Sequence, residues 1–261
     1  MSVRYDQLAC DPSVGRYRME MHRKQFRLWT RLPYQFAVVQ NGAMQTLRDE
    51  LRAVPSIVGH APDFDWASAP DEPHDLFVRW LRYAIETGVP EAHAATLSTV
   101  DEEGLPDARV LIVKDVTDDC GFKIATGDES AKGRQLVVNP NCALTFYWSP
   151  LARAVRVRGA ARRAPAAESA EDFLARHPHA RAIALAGQQS SIYSDDGARD
   201  EVLAQATAAM GADAGTVSPH WSVWTVVPNS VEFWQGDPSR NHQRLRYVRT
   251  GGTWETQHLW P

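Results

Sequence analysis

The sequence predicts a mainly β protein, an antiparallel β-barrel with flanking helices. From residue 94 onwards, short segments with apolar residues at every second position are separated by turns rich in Asp and Gly. Strands and helices do not alternate regularly, which argues against a parallel α/β sheet. No G-x-G-x-x-G follows a strand, so a Rossmann nucleotide site is not supported. Many short antiparallel strands usually close into a barrel, because closure removes exposed edges.

The segments before the first strand differ in charge and pattern. Residues 1–43 carry seven Lys/Arg against three Asp/Glu, a net charge of +4, and predict a basic N-terminal extension that is flexible. A nucleic-acid or membrane-binding arm is the alternative. The domain is expected to span 44–261 and to begin with an amphipathic helix at Met44. Residues 59–73 are typical of a linker, and His74–Thr87 has the apolar spacing of a helix that ends at Gly88.

The remaining elements follow from period-two patterns and from capping residues. We expect strands at 94–100, 107–116, 122–126, 142–148, 153–163, 221–227, 231–235, 244–249 and 254–258. A short helix is expected after Ser130, whose hydroxyl can cap it, with its end at Asn139-Pro140. Two further helices are expected at about 168–176 and 198–210.

Composition narrows the classes of function. The net charge of -4 argues against a general nucleic-acid surface, and no apolar run is long enough to cross a bilayer. We see no signal peptide and expect a cytoplasmic protein. Three cysteines without C-x-x-C spacing predict reduced thiols. The pair His177 and His179, with His220, lacks a completing ligand set, so no metal site is expected.

The most informative segment is VEFWQGDPSRNHQRLRYVR, residues 231–249. Arg240, His242 and Arg244 are spaced by two, so an extended chain would aim all three at one face beside Trp234. Such a surface would suit a planar anionic ligand that needs a proton-transfer partner. A basic edge strand with an incidental histidine is the alternative.

Arg109 and Lys114 emerge from an otherwise apolar strand. Such cations are hard to bury without an anion. Because they are five residues apart, a bulge or the end of the strand is needed for both to reach one ligand. Alternatively, each end of the strand simply reaches solvent.

Two polar segments suggest further contacts. Thr126, followed by Ser130 and Lys132 at a helix start, is a candidate phosphate site, although Ser130 as a plain cap explains part of the pattern. The run Gln188 to Ser191 can satisfy the edge of a heteroaromatic ring. An ordinary polar loop looks the same.

In order, the segments RVLIVK (109–114), AT-x-x-x-S-x-K (125–132), QSS (189–191), EFW (232–234), R-x-H-x-R (240–244) and the final LWP resemble the pyridoxamine/pyridoxine 5'-phosphate oxidase family. The resemblance implies an FMN-binding split β-barrel homodimer with FMN at the subunit interface. It implies FMN contacts from Arg109, Lys114, Thr126, Ser130, Lys132, Gln189, Ser190, Trp234 and Arg244. Arg240 and His242 would be the catalytic pair that faces the substrate, with Lys114 beside them.

The chain departs from the family pattern at several positions. Ala154 stands where the family usually has a flavin-contacting Gln, and Phe173, His177 and Arg181 stand where it has a Tyr, an Arg and a Ser around the substrate phosphate. His177 and Arg181 are therefore the candidate residues for binding the phosphate of the substrate.

The function that the resemblance implies is oxidation of pyridoxamine or pyridoxine 5'-phosphate to pyridoxal 5'-phosphate, with O2 as acceptor and FMN as cofactor. Because the phosphate cluster is altered, oxidation of another reduced heteroaromatic, of the dihydrophenazine type, is the first alternative. A non-catalytic flavin- or haem-binding barrel is the second.

Overall fold

A computed structural model describes residues 46–193 and 195–261. The basic extension expected at 1–43 lies outside these residues. Arg52 to Pro261 form one compact unit, which does not include residues 46–51. No helix among the described residues is long and apolar enough to cross a membrane.

Besides two three-residue 3-10 helices at Trp66–Ser68 and Ser149–Leu151, six α-helices and nine strands make up the described chain. In order they are α1 (Leu47–Ala53), α2 (Pro73–Glu86), β1 (Ala94–Val100), β2 (Pro106–Ile112), β3 (Asp115–Val116), β4 (Phe122–Gly127), α3 (Ala131–Val138), β5 (Asn141–Trp148), β6 (Arg153–Arg163), α4 (Ala166–Ala175), α5 (Pro178–Leu185), α6 (Asp196–Ala212), β7 (Trp221–Gln235), β8 (Gln243–Thr250) and β9 (Thr253–Leu259). Most expected elements are present. The prediction of one strand at 107–116 was wrong, because β2 ends at Ile112 on its partner β1 and the chain then continues as β3 on a different partner, β4. Helix α5 is one that the sequence patterns did not predict.

All nine strands form one antiparallel sheet in the order β2-β1-β5-β6-β7-β4-β3, with β8 on β7 and β9 on β8. The two ends of this path, β2 and β3, are separated in the chain only by Val113 and Lys114. The sheet must therefore curl until its ends meet, which confirms the predicted barrel.

Strand β7 is where the sheet splits. Its first half pairs with β4 and its second half with β8, while β6 runs along its whole length. The prediction of two strands, 221–227 and 231–235, was wrong, because Pro228 lies inside one continuous strand. The register shifts between Arg158 and Gly159, opposite this proline, so a bulge absorbs the missing N–H donor. A Cβ on Gly159 would lie 2.1 Å from the Val227 carbonyl oxygen, so this close approach requires glycine.

Aromatic side chains fill the centre of the barrel. Phe77 on α2 is 0% exposed, and its ring centroid lies 4.8 Å from that of Phe122 and 4.9 Å from that of Phe146. Trp148 adds a buried indole whose Nε1 donates to the Ala92 carbonyl. The core thus ties α2 to β4 and β5, the strands that lead to the loops around α3.

The described cysteines, Cys120 and Cys142, are free and buried. Burial raises the pKa of Cys120 to about 12 and that of Cys142 to about 11. Almost no thiolate forms at neutral pH, so neither side chain is an effective nucleophile.

Candidate functional site

Hydroxyl and amide side chains converge where β4 leads into α3. The Thr126 and Ser130 hydroxyl oxygens are 2.9 Å apart, and both residues are buried. Ser130 caps α3 by accepting a hydrogen bond from Gly133 N at 3.1 Å. Gln189 reaches across from the loop after α5, and its Oε1 accepts from Thr126 Oγ1 and from Gly127 N, each at 3.3 Å. Three of the predicted residues therefore form one connected group.

Two cations lie beside this group. Lys132, in the first turn of α3, is 9% exposed. Burial, and then the charge of Arg109, lower the pKa of its ammonium group. The Arg109 guanidinium bonds to Asp107 and donates to Thr99 Oγ1 at 2.5 Å and to Gln135 Oε1 at 3.0 Å. Within the described chain, Lys132 makes no ion pair or hydrogen bond, so it is a buried charge without a partner.

We call Arg109, Thr126, Ser130, Lys132 and Gln189 the α3 cluster. Lys114 lies outside it. Strand β2 ends at Ile112, and the Lys114 ammonium lies 3.8 Å from Asp172 Oδ1 on α4. The end of the strand, rather than a bulge, therefore frees Lys114 from the β2 alternation. Ser190 is exposed at φ 72°, in the turn closed by the Ser191 N to Gln188 O hydrogen bond of 3.0 Å.

A second group of predicted residues lies near the end of β7. The Trp234 ring is half-buried, with its centroid 5.1 Å from that of His242. His242 Nδ1 accepts a hydrogen bond from Asp237 N at 3.1 Å. Ala154 pairs with Trp234 across β6 and β7 and lines a cavity of about 210 Å³ beside it. A larger side chain at position 154 would enter this space.

Arg244 lies on the same outer face of the sheet. Its guanidinium donates to Glu232 Oε1 through Nε at 2.9 Å and Nη2 at 2.7 Å, and to the Trp260 carbonyl through Nη1 at 3.1 Å. Glu232 is buried and also bonds to Arg156. One carboxylate thus bonds to two guanidiniums, so the three groups together carry a net positive charge on this face. We call Ala154, Trp234, His242 and Arg244 the β8 cluster.

The expectation that Arg240, His242 and Arg244 share one extended face was wrong. Strand β8 begins only at Gln243, and Arg240 N closes a turn on Asp237 O at 2.9 Å, with φ 70° at Arg240. The cause is the GDPS segment, which forms a tight turn in place of an extended strand. The Arg240 guanidinium instead donates to Ser56 Oγ at 2.9 Å.

The two clusters lie at opposite ends of β7. Thr126 pairs with Ser222 at its start, and Trp234 lies near its end. At about 3.3 Å per residue, the path along the strand between them is roughly 40 Å. Among the described residues, no hydrogen bond, ion pair or ring contact joins the α3 cluster to the β8 cluster.

The predicted substrate residues His177 and Arg181 lie one turn apart at the start of α5, with Arg181 N donating to the His177 carbonyl at 3.0 Å, but their side chains have different partners. His177 caps α5, with Nδ1 accepting from His179 N at 3.3 Å, and its side chain is exposed. Arg181 donates through Nη2 to the Ala214 and Thr216 carbonyls at 2.8 and 3.0 Å, so it holds the loop after α6. Phe173 is fully buried beneath Arg181. That His177 and Arg181 contact a substrate stays a prediction.

Sequence reasoning missed Arg176, next to His177. Its guanidinium carbon lies 4.1 Å from the centroid of the Trp221 ring, and it lines a cleft of about 70 Å³ with Ser130 and Gln189. No local pattern could identify it, because Trp221 is far away in the chain. In the described part of the chain, no three His, Cys, Asp or Glu side chains are grouped to hold a metal ion.

Comparison with known proteins agrees with this architecture. The family described as "Pyridoxamine 5'-phosphate oxidase" matches residues 81–235, and "Pyridoxine 5'-phosphate oxidase C-terminal dimerisation region" matches residues 221–261. The "Pyridoxine/pyridoxamine 5'-phosphate oxidase" of Burkholderia lata is 40% identical over 200 residues, covering 76% of this chain and 92% of that protein.

Solved structures give the same fold. PhzG from Burkholderia lata 383, in complex with tetrahydrophenazine-1-carboxylic acid, matches with a TM-score of 0.71 and 27% identity over 78% of this chain and all of that one. A pyridoxamine 5'-phosphate oxidase-related, FMN-binding protein from Nostoc punctiforme has the same fold, with a TM-score of 0.60 and 16% identity over 74% of this chain and all of that one. Given the matched ranges, the curled sheet and the curated relatives, this chain belongs to the pyridoxamine 5'-phosphate oxidase family of flavin-dependent oxidoreductases.

Proposed function

We propose that this protein is an FMN-dependent oxidase that converts pyridoxamine or pyridoxine 5'-phosphate to pyridoxal 5'-phosphate, with O2 as acceptor. The observation that carries the proposal is the unpaired, buried ammonium of Lys132 beside Arg109. A buried ammonium beside a guanidinium is costly unless anions balance both charges, and the nearby carboxylate of Asp107 is already ion-paired with Arg109. The phosphate of FMN is such an anion.

The α3 cluster fits the phosphate of FMN. Arg109 and Lys132 supply positive charge, and the Arg109 fork allows bidentate contact with phosphate oxygens. Ser130 and Thr126 supply hydroxyls at the start of α3, where the helix dipole favours an anion. The proposed contacts of the FMN ring are Gln189, Ser190 and, more distantly, Lys114.

The remaining proposed FMN contacts, Trp234 and Arg244, lie too far along β7 for one chain to supply both ends of the site. We therefore propose a homodimer in which the β8 cluster of one copy completes the α3 cluster of the other. Strands β7, β8 and β9 fall within the matched dimerisation region, and the outer face of these strands carries Trp234 and Arg244. A two-fold axis would give two equivalent sites.

FMN, when bound, supplies the acceptor for the hydride removed from the substrate and passes the electrons to O2. The chain orients and holds the reactants. Because His242 Nδ1 accepts from Asp237 N, the neutral imidazole carries its proton on Nε2, which can donate to a substrate oxygen or nitrogen. Arg240, tethered to Ser56, would hold the substrate over the ring. The Trp234 indole would exclude water from one side of that site.

A second candidate function is oxidation of another reduced heteroaromatic acid, of the dihydrophenazine type. Phe173 brings no hydroxyl to the expected phosphate cluster, and Arg181 is already bonded to two backbone carbonyls. PhzG, a structural relative at 27% identity, was solved with tetrahydrophenazine-1-carboxylic acid. This candidate retains the cofactor site and changes only the substrate.

The first test is cofactor content and peroxide release. We expect purified protein to be yellow, with about one FMN per subunit, as one site per subunit in a symmetric dimer requires. Pyridoxamine 5'-phosphate, with O2 and water, should then yield pyridoxal 5'-phosphate, ammonia and hydrogen peroxide in equal amounts. Peroxide from a dihydrophenazine carboxylic acid alone would favour the second candidate. Colourless protein that does not bind added FMN would contradict both candidate functions.

The second test is complementation between two inactive variants. Lys132→Gln damages the α3 cluster and Trp234→Ala the β8 cluster, so each homodimer should be nearly inactive. Mixed subunits should recover about a quarter of wild-type activity, since half of randomly formed dimers are heterodimers with one intact site. Recovery should depend on subunit exchange, measured by the mass of the dimer. Mixtures that form heterodimers yet stay inactive would show that each site is built from a single chain.

A further inference from the structure

We propose that Arg176, and not His177, is the residue that recognises the acidic end group of the substrate, a phosphate or a carboxylate. The inference rests on the proposed flavin oxidase and deepens it by assigning the anion subsite. It concerns the cleft between the start of α3 and helix α5, lined by Ser130, Gln189, Trp221 and Arg176.

The backbone separates the two neighbouring cationic candidates. Helix α4 ends at Ala175, and Arg176 and His177 both adopt extended conformations, with ψ 153° and 138°, before Pro178. Successive extended residues point to opposite sides. Arg176 consequently turns into the cleft, half-buried, while His177 is exposed and caps α5.

Trp221 provides a fixed platform for the Arg176 guanidinium. The indole is 8% exposed, and its Nε1 donates to Asp172 Oδ2 at 2.8 Å, which sets the plane of the ring. The guanidinium carbon lies 4.1 Å from the ring centroid, a distance at which cation–π attraction orients the group. Asp172 also pairs with Lys114. One carboxylate therefore positions Lys114 directly and Arg176 through the Trp221 ring.

The Arg176 guanidinium has N–H donors that make no hydrogen bond to the described residues. Arg176 makes one long hydrogen bond, from Nη2 to the Ala180 carbonyl at 3.4 Å, and its buried Nε has no partner among the described residues. Burial lowers the pKa of Arg176, yet arginine stays charged in proteins. A half-buried cation with open donors is stabilised by an anion that can accept bidentate hydrogen bonds.

The size and position of the cleft restrict what enters it. Its volume of about 70 Å³ is small, so the cleft suits an acidic end group better than an aromatic ring. Ser130 and Gln189 belong to the α3 cluster, so an anion held by Arg176 lies beside the proposed cofactor site. Glu129 and His220 stand exposed in the lining of the cleft, with Glu129 Oε1 3.7 Å from His220 Nδ1.

The test measures anion binding directly, on the FMN-loaded full-length protein, by calorimetric titration with inorganic phosphate and separately with benzoate. In Arg176→Gln, the affinity for whichever anion the wild-type protein binds should fall about tenfold or more, the scale expected for a charge-assisted hydrogen bond. Arg176→Lys should recover part of the loss. His177→Gln, and the exposed Arg199→Gln on α6, should stay within about twofold of wild type. Preference for phosphate or for benzoate then identifies which acidic group the subsite selects.

Catalysis gives the second readout. Arg176→Gln should raise KM for pyridoxamine 5'-phosphate, or for a dihydrophenazine carboxylic acid, far more than it lowers kcat, because the acid group is remote from the reacting atoms. Retained FMN and an unchanged circular dichroism spectrum would show that the variant is folded.

The inference is overturned if Arg176→Gln binds both anions as the wild type does, if His177→Gln loses as much affinity, or if the wild-type protein binds neither anion. Failure of this inference can be told apart from failure of the proposed function. A protein that retains no FMN contradicts the proposed function, but its anion subsite can still be titrated. Phosphate can then also bind in the α3 cluster, and titration of Lys132→Gln removes that contribution while leaving the Arg176 subsite intact.

Discussion

Replacing Lys132 by glutamine is expected to weaken FMN binding about 10- to 100-fold while leaving the cofactor-free protein as stable as wild type, or more stable. The loss reflects a charge-assisted contact with phosphate, which contributes about 1.5–3 kcal/mol. The unchanged or increased stability follows because the buried ammonium makes no ion pair or hydrogen bond to any residue that the structure describes and lies near Arg109. Removing such a charge relieves its desolvation and the repulsion from the neighbouring guanidinium.

Fluorescence titration of the cofactor-free protein with FMN, and thermal unfolding of the same sample, measure the two effects. Lys123→Gln is the matched control, because Lys123 on β4 is bound to Glu168 at 2.9 Å and lies close to Asp115. It should bind FMN as tightly as wild type. Should Lys132→Gln unfold at a clearly lower temperature and keep its FMN affinity, Lys132 would be a structural residue and the phosphate site would lie elsewhere.

Replacing Phe77 by alanine should destabilise the protein by about 3–5 kcal/mol, the usual cost of a large cavity in an aromatic core. Phe77 is 0% exposed and contacts rings on two strands, Phe122 on β4 and Phe146 and Trp148 on β5. Its loss therefore removes packing at the point where α2 holds both strands. Because β4 leads directly to Thr126 and Ser130, FMN binding should weaken with it.

Urea unfolding at one fixed protein concentration measures the change, since the stability of a dimer depends on concentration. Ile85→Ala on the same helix is the control, because Ile85 is 58% exposed, and we expect a change within about 0.5 kcal/mol. A loss below about 1.5 kcal/mol for Phe77→Ala would mean that the core relaxes into the cavity and that α2 does not anchor the barrel.

Local patterns identified the regular elements well. Helix α3 spans Ala131–Val138 with Ser130 as its cap, and β6 spans Arg153–Arg163, both as expected. Capping and period-two alternation are properties of neighbouring residues, so they can be read without knowing the fold. Helix α5, which is as short as α3, was missed because it begins at Pro178, a residue that disrupts a helix when it lies in the helix interior.

The single strand β7 shows the limit of local reasoning. Pro228-Asn229-Ser230 has the composition of a turn, yet the strand continues because Asn229 forms a bulge in β7 between Pro228 and Ser230, which pair with the consecutive residues Gly159 and Arg158 of β6. The strand that keeps both halves of β7 in one sheet comes from a segment far away in the chain. The turn at Asp237 to Arg240 is the reverse case, since an expected extended face is broken by local hydrogen bonds.

The sequence by itself determined the strand order along the chain, the capped start of α3, the ordered family motifs and the candidate residues for a phosphorylated cofactor. Tertiary structure alone decided that these residues fall into two clusters at opposite ends of β7, and that Arg176 rather than His177 faces the cleft beside Ser130. The physical reason is that motifs are set by neighbours in the chain, whereas the burial and pairing of a charge depend on partners from distant segments. Lys132 and Arg176 can be recognised only when the packed barrel shows that, among the described residues, neither forms an ion pair although both are at least half-buried.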